Sequence, residues 1–405
     1  MRAIRVATAS ALTGLLAACS GPADPTPTSS SISATPTSSS PVEASPSATP
    51  LPTSAAPATP REPVVTHTFT ITEHESFDEP WAMAFLPGTD VLAVTEKSGR
   101  LKLRSSDGVI REVSGVPDVT VTSQGGFADI VPGPTFEQDG TVYLSWVEGN
   151  QGDTGGVVGR ARLDVDAAAL SGLETIWRQE PRGDREGHYS LRLAIHDDHL
   201  FVSSGDRQER APAQRFDNDL GKVLRLTLDG ASAPGNPFQD EGAEARQFWS
   251  IGHRNPLGLA FDADGRLWSS EMGPQGGDEF NLIQAGLNYG WPEVSNGSGY
   301  DGSEIPDHEP GDGFEPPKVF WNPSVSPGSL MVYQGDLFPD WEGDAFIGAL
   351  SGKALIRIDL FGEDAILAET WPMEDRIREV EQGSDGAIWL LEDRAGAKLL
   401  ELRPS

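Results

Sequence analysis

An all-β fold, a six-bladed β-propeller whose N-terminal strand closes the last blade, is the fold class this sequence predicts. Three observations predict it. From Val64 onward one theme recurs six times: an acidic or Asp-Gly turn leads into a short alternating apolar strand. In five of these units a second short strand of similar pattern follows after another turn. The chain holds 45 glycines and 32 prolines, which suits tight turns between short strands better than a helical bundle.

The six turn-and-strand units are Asp90-Val-Leu-Ala-Val-Thr, Asp139-Gly-Thr-Val-Tyr-Leu-Ser, Asp198-His-Leu-Phe-Val-Ser, Asp264-Gly-Arg-Leu-Trp-Ser, Asp344-Ala-Phe-Ile-Gly-Ala and Asp385-Gly-Ala-Ile-Trp-Leu. The strands that follow begin at Gly99, Gly159, Lys222, Ala354 and Lys398. The units stand roughly 59 residues apart on average, a period that suits multi-stranded blades carrying long loops. The longest interval, Asp264 to Asp344, exceeds what four strands require, which marks its loops for function. A strand at Val64–Ile71 precedes the first full unit, and its place is the last blade, where it hydrogen-bonds the two termini together. Helix is nearly absent, with one turn expected at Asp166–Leu170. A β-sandwich or two smaller β domains is the alternative, but six regular units without an internal linker favour a single ring.

The chain has 405 residues, 37% of them hydrophobic, ample material for a core over residues 63–405. Its 61 acidic and 30 basic residues give a net charge of −31, which argues against nucleic acid as a partner. The single cysteine excludes a disulfide framework and any zinc site built on several thiolates. Arg2 and Arg5 precede an uncharged run of small and apolar residues from Val6 to Ala18, the pattern of an export signal over residues 1–18. Leu16-Ala17-Ala18-Cys19 resembles the lipobox of bacterial lipoproteins, which implies cleavage before Cys19 and a lipid on its sulfur. Residues 19–62 are almost wholly Ser, Thr, Pro, Ala and Gly, a linker too poor in apolar surface to pack. The localisation this implies is extracytoplasmic, with membrane attachment through the lipid alone.

Several stretches carry more glycine, charge and amide than a turn needs. Gln124 precedes a Gly-Gly pair, and Gly187-His188 precedes a strand bearing Arg192. That strand's hairpin partner ends at Gly205-Asp206-Arg207. His253-Arg254-Asn255-Pro256 and Gly273-Pro274-Gln275-Gly276-Gly277-Asp278-Glu279 stand at opposite ends of one unit's first two strands. Arg376 and Arg378 alternate two cations on one strand. Taken singly, each is an ordinary turn, surface or ion-pair residue; together they point to a polar pocket with three cations and a general base.

The motifs Ser123-Gln-Gly-Gly, Gly187-His, Ser204-Gly-Asp-Arg, Leu220-Gly-Lys-Val-Leu-Arg-Leu, Gly252-His-Arg-Asn-Pro-Leu-Gly and Gly273-Pro-Gln-Gly-Gly-Asp-Glu-Phe resemble the glucose/sorbosone dehydrogenases. Asn288-Tyr-Gly-Trp-Pro and Arg376-Ile-Arg continue the match in order, over about residues 66–403. The resemblance implies a PQQ-dependent oxidation of aldose sugars at the anomeric carbon, on a six-bladed propeller. It implies His188 as the general base and Asp206 as the carboxylate that orients it. It implies Gln124, Arg254, Asn255, Arg376 and Arg378 as PQQ contacts, since a planar quinone with three carboxylates needs cations and donors. The carbonyls of Gly273 and Pro274 match the family's catalytic Ca²⁺ site, and Glu279 with the carbonyl of Tyr289 a second, structural Ca²⁺. The partners implied are a small sugar and an external electron acceptor.

Two departures stand out. Relatives follow the histidine with a small-residue pair, where this chain has Tyr189-Ser190-Leu191-Arg192, and Leu191 adds bulk near the expected cofactor plane. Some members place a lysine on the cofactor where this chain has Ser351, with Lys353 two residues on. A non-catalytic propeller binding carbohydrate or protein ligands is the alternative function, against which the three arginines speak. A hydrolase using His188 lacks a nucleophile in a recognisable setting.

Overall fold

The computed structural model describes residues 69–405. The export signal, Cys19 and the linker lie outside the described residues, as does the part of the Val64–Ile71 strand before Phe69. Asp-Gly turns and alternating apolar residues fold into six four-stranded antiparallel sheets, joined by one extra two-stranded ribbon. Each of the six units recognised in the sequence supplies a blade's second strand: Leu92–Glu96, Thr141–Asn150, His199–Ser204, Leu267–Glu271, Ala345–Ala349 and Ile388–Glu392. The second runs of the sequence pattern are third strands, such as Arg100–Arg104 and Lys222–Thr227.

The innermost strand of each blade precedes these and is less regular in sequence. In chain order the inner strands are Pro80–Phe85, Phe127–Pro132, Ser190–His196, Pro256–Phe261, Met331–Val332 and Ile377–Gln382. Each touches the inner strand of both neighbouring blades, so together they form a closed ring around a central channel. The blade faces pack on one another through apolar clusters. One such cluster holds Leu193, Val202 and Leu224 of the third blade with Val147 and Val158 of the second. Burial of aliphatic and aromatic side chains between sheets is the main force holding the ring.

The last blade is completed by the first strand. Phe69–Phe77 pairs antiparallel with Ala397–Pro404, Phe69 opposite Pro404 and Phe77 opposite Ala397. The closing strand therefore runs on past Ile71 to Phe77. The helical turn expected at Asp166–Leu170 is not formed: residues 165–168 make a hairpin turn, and Ala169 begins a strand. Asp164 caps this turn, its Oδ1 accepting from Ala167 N at 2.9 Å, a local bond that competes with helix. Among the described residues an α-helical turn forms instead at Phe136–Asp139, and short 3-10 turns form at Ala211–Gln214, Glu244–Gln247 and Pro339–Trp341.

Five of the six inner strands begin with a break in register. The breaks fall at Pro80/Ala82, Phe127/Ile130, Ser190/Leu193, Pro256/Gly258 and Ile377/Glu379. A bulge turns an extra side chain out of the ladder. All five lie at the same end of the ring, because inner strands run parallel to one another around the channel. That end carries a polar cavity.

Candidate active site

The cavity has a volume of about 410 Å³. Three of the bulged residues, Trp81, Leu257 and Arg378, line it. His188, Gln124, Asn255 and Arg376 line it as well. Its wall also carries Lys97 and Arg394, so four cations face two acids, Glu79 and Asp393. In a chain with twice as many acids as bases, this local excess of positive charge is a built feature.

His188 and Asp206 are brought together by a hairpin. Ser190 pairs with Ser204, so residues two positions beyond this pair on each strand end up side by side. His188 Nδ1 lies 2.7 Å from Asp206 Oδ1. The carboxylate is wholly buried, and its acceptors are filled: Gln208 N donates to Oδ1 at 2.8 Å, and Trp291 Nε1 to Oδ2 at 2.7 Å. Burial raises the pKa of Asp206, but the bond and charge of His188 outweigh it and hold the carboxyl below its ordinary value. Burial lowers the pKa of His188, and Asp206 offsets only part of this, so the imidazole is held below its ordinary value. A carboxylate on Nδ1 fixes the proton there and leaves Nε2 as an acceptor.

The loop that presents His188 is held in an uncommon backbone conformation, with φ of 52° at His188, 60° at Ser190 and 67° at Leu191. Gln124 Oε1 accepts from His188 N at 3.0 Å. Buried Arg207 pins the rest: its guanidinium donates to the carbonyls of Gly187 at 3.2 Å and Thr154 at 2.9 Å, and to that of Arg185. It also stacks on the Tyr189 ring at 3.8 Å.

Across the cavity, one carboxylate holds two arginines. Asp393 Oδ2 accepts from Arg376 Nε at 2.7 Å, and Oδ1 from Arg378 Nε at 2.9 Å. Arg378 lies over the Trp81 ring at 4.4 Å. Burial pushes Asp393 up, yet both guanidinium groups bring it net down, so it stays ionised. Arg254 stands apart from this pair. Its Nη1 donates to Met272 O at 3.0 Å, it lies 5.3 Å from the Trp291 ring, and its buried Nε has no hydrogen-bond partner. Asn255 Oδ1 accepts from Ser190 Oγ at 3.0 Å.

The sequence and fold have counterparts among known proteins. A family model described as Glucose / Sorbosone dehydrogenase matches residues 77–401. The chain belongs to the glucose/sorbosone dehydrogenase family. It is 36% identical to the aldose sugar dehydrogenase YliI of Escherichia coli (strain K12), over 82% of this chain and 91% of that one. A crystal structure of the soluble aldose sugar dehydrogenase from E. coli in the apo-form superposes with a TM-score of 0.80 at 35% identity, covering 84% of this chain and 100% of that one. The PQQ-bound form of the aldose sugar dehydrogenase from Streptomyces coelicolor superposes with a TM-score of 0.69 at 27% identity, covering 85% and 100%.

For a chain of this family the next question is whether the cavity suits PQQ. Four cations and the amides of Gln124 and Asn255 suit a polyanionic planar group. Arg254 does not line the cavity; its guanidinium, with Nε unpartnered, lies behind the wall, 5.9 Å from the ring of lining residue Tyr300. Gly273 and Pro274 do not line the cavity; Met272 and Tyr300 do, beside them. Both are nevertheless buried, at a turn fixed by Gly273 N donating to Asp278 Oδ1 at 2.9 Å. Their carbonyls accept no hydrogen bond from the described residues, as donors to a hard cation would require. Gly273 cannot carry a side chain, because the carbonyl oxygens of Gly276 and Gly277 close over it.

Glu279 faces Glu271 across the fourth blade's ladder, and both are buried. Burial and then the Glu271 charge push the Glu279 carboxyl well up, the electrostatic mark of a place short of positive charge. His308 and Asn281 stand beside it, at 3.9 Å and 3.1 Å. Tyr289 is held through its own ring, stacked on His253 at 4.7 Å, with its hydroxyl donating to Leu282 O at 2.5 Å.

The two departures resolve structurally. Leu191 is wholly buried in the core between the second and third blades and packs on Gly156, so its bulk is turned away from the cavity, and Ser190 faces it instead. Lys353 does not reach the cavity: its amine lies 3.4 Å from Glu374 O and 3.7 Å from Asp375. Sequence reasoning did not find Asp393, Trp291, Trp81, Lys97, Arg394 or Tyr300. Trp291 stood within a matched motif, and Asp393 follows a strand that must pair beside Arg376 and Arg378, which is the signal that was there to be used.

Proposed function

We propose that the protein oxidises an aldose sugar at its anomeric carbon with PQQ as cofactor, and passes the electrons to an external acceptor. The observation that carries this reading is the His188–Asp206 pair on the wall of a cationic cavity. When bound, PQQ would supply the two-electron acceptor; the Gly273 and Pro274 carbonyls would hold Ca²⁺, which would supply an electrophile. The chain's own residues do the remaining work. Arg254, Asn255, Arg376 and Arg378 hold carboxylates and carbonyls in one orientation. Gln124 braces the backbone of His188. His188 Nε2 takes the proton of the anomeric hydroxyl as the carbon is oxidised, and Asp206 stabilises the imidazolium that results.

The depressed pKa of His188 serves this role, since burial keeps the ring neutral and ready to accept to lower pH than an ordinary histidine. We read Cys19 as a lipid anchor that keeps the enzyme outside the cytoplasm. Among the described residues no helix is long and apolar enough to cross a membrane. The deciding experiment is sugar-dependent dye reduction by purified apoprotein, before and after addition of PQQ and Ca²⁺. Activity that appears only with both supports the reading. PQQ bound at full occupancy without turnover on any aldose would favour a non-catalytic propeller.

A further inference from the structure

A second cavity, also of about 410 Å³, lies between the third and fourth blades. It shares no lining residue with the active-site cavity. It sits at the opposite end of the ring, where the inner strands finish: His196 closes the third blade's inner strand, and Gly265 lies in the fourth blade's first hairpin turn. The second and third strands of the third blade put Phe201 directly opposite Arg225, with Trp249 on the outer strand beside them. From the fourth blade come Phe261, Leu267, Leu282 and Ile283.

The rings form a trough. Phe201 meets Trp249 edge-on at 5.6 Å and Phe261 edge-on at 5.1 Å, while His196 stacks flat on Phe261 at 4.5 Å. Two donors in this trough have no protein partner. Arg225 Nε and Trp249 Nε1 are both buried without a hydrogen bond. The guanidinium of Arg225 lies over the Trp249 ring at 4.6 Å, and its one hydrogen bond runs from Nη2 to Pro234 O at 2.6 Å. No carboxylate among the described residues pairs with it, although acids outnumber bases two to one in this chain. The other charged groups of the wall are matched: Arg266 with Asp262 and Asp264, His196 with Asp197. An unneutralised guanidinium stacked in an aromatic trough favours an anion, and leaving buried donors without a partner is costly.

We propose that this cleft is a second binding site for a small molecule that carries a carboxylate on an aromatic body. The carboxylate pairs with the Arg225 guanidinium, and the aromatic body lies against Phe201 and Phe261. Apolar walls with a few converging polar groups are the usual make-up of a small-molecule site. The test is calorimetric titration of the full chain with 2-naphthoate at low salt, with 2-naphthamide as the uncharged control. The expected result is saturable one-site binding of the acid, and binding at least about tenfold weaker for the amide. Arg225→Gln should weaken the acid at least about tenfold and leave sugar oxidation at the opposite end unchanged. Should Arg225→Gln fold poorly, Ala285→Glu adds a repelling charge at the exposed mouth and should weaken the acid as well. Absence of saturable heat with the acid, equal affinity for acid and amide, or undiminished affinity in folded Arg225→Gln or Ala285→Glu would each overturn the assignment.

Discussion

At the scale of single residues, the site stands or falls on His188 and Asp206. A positioned general base contributes on the order of a hundred- to ten-thousand-fold, so His188→Ala is expected to lose turnover in that range. The loaded variant should keep its cofactor, because Arg254, Arg376 and Arg378 hold it from other blades; quinone absorbance reads the occupancy. Near-normal turnover in the loaded variant would remove His188 from the mechanism. Asp206→Asn keeps the histidine and should retain more activity than His188→Ala. Its signature is in the pH profile. Asp206 raises the pKa of the imidazole, so loss of its charge lowers that pKa further and moves the acidic limb of the rate to lower pH. A limb that stays in place would separate Asp206 from the titration of His188.

At the scale of strands and loops, the sequence is a good guide where turns and alternation are regular, and a poor one where strands are broken. The second strands were legible because Asp-Gly turns precede an alternating run, and because their neighbours repeat the pattern. The inner strands hid behind their bulges: a residue inserted at Trp81, Leu257 or Arg378 shifts the alternation by one and blurs the period. The same bulges aim side chains into the cavity, so what obscured the strands also built the site. The hairpin that carries His188 and Asp206 at its ends was legible in the sequence, and their pairing was implied by the family resemblance. The Asp393 clamp on Arg376 and Arg378 was not legible, since ion-pair partners are chosen in space and this chain offers dozens of acids. Close approach between elements gives a test at this scale. A Cβ on Gly258 would meet Leu330 of the next blade, with the Leu330 nitrogen at 2.9 Å. Gly258→Ala should therefore cost about 1–3 kcal/mol through overpacking of the two inner strands, measured by denaturant unfolding. A loss under a few tenths would show that the blades can part there.

At the scale of the whole molecule, the centre of the ring is charged. Asp129, Glu379 and Glu381 share one guanidinium, that of Arg192, which also donates to Leu257 O at 2.7 Å and Gly328 O at 2.8 Å. Burial first, and then neighbouring acids, raise Glu379 to about 7 and Glu381 to about 8, and Asp129 is raised too; Arg192 opposes this in part. Acids whose folded pKa lies above the unfolded value leave the fold most stable at low pH, and stability falls as pH climbs toward the folded value. This cluster should thus cost stability progressively up to about pH 8. Glu381→Gln is expected to flatten that loss and to raise the melting temperature at pH 8 relative to the parent, with a smaller gain at pH 5. A variant that melts lower at pH 8 would contradict the charge accounting. The closure of the ring has a consequence in time. Phe69–Phe77 is made first and Ala397–Pro404 last, so a ribosome finishes nearly the whole chain before the two can meet. Until then the last blade lacks its outer strand. The cavity, whose walls come from several blades, is complete only once the last blade, with Arg376 and Arg378, has been made. A propeller fastened in this way cannot close its ring until its two most distant strands have both been made, so closure comes late however soon the other blades form.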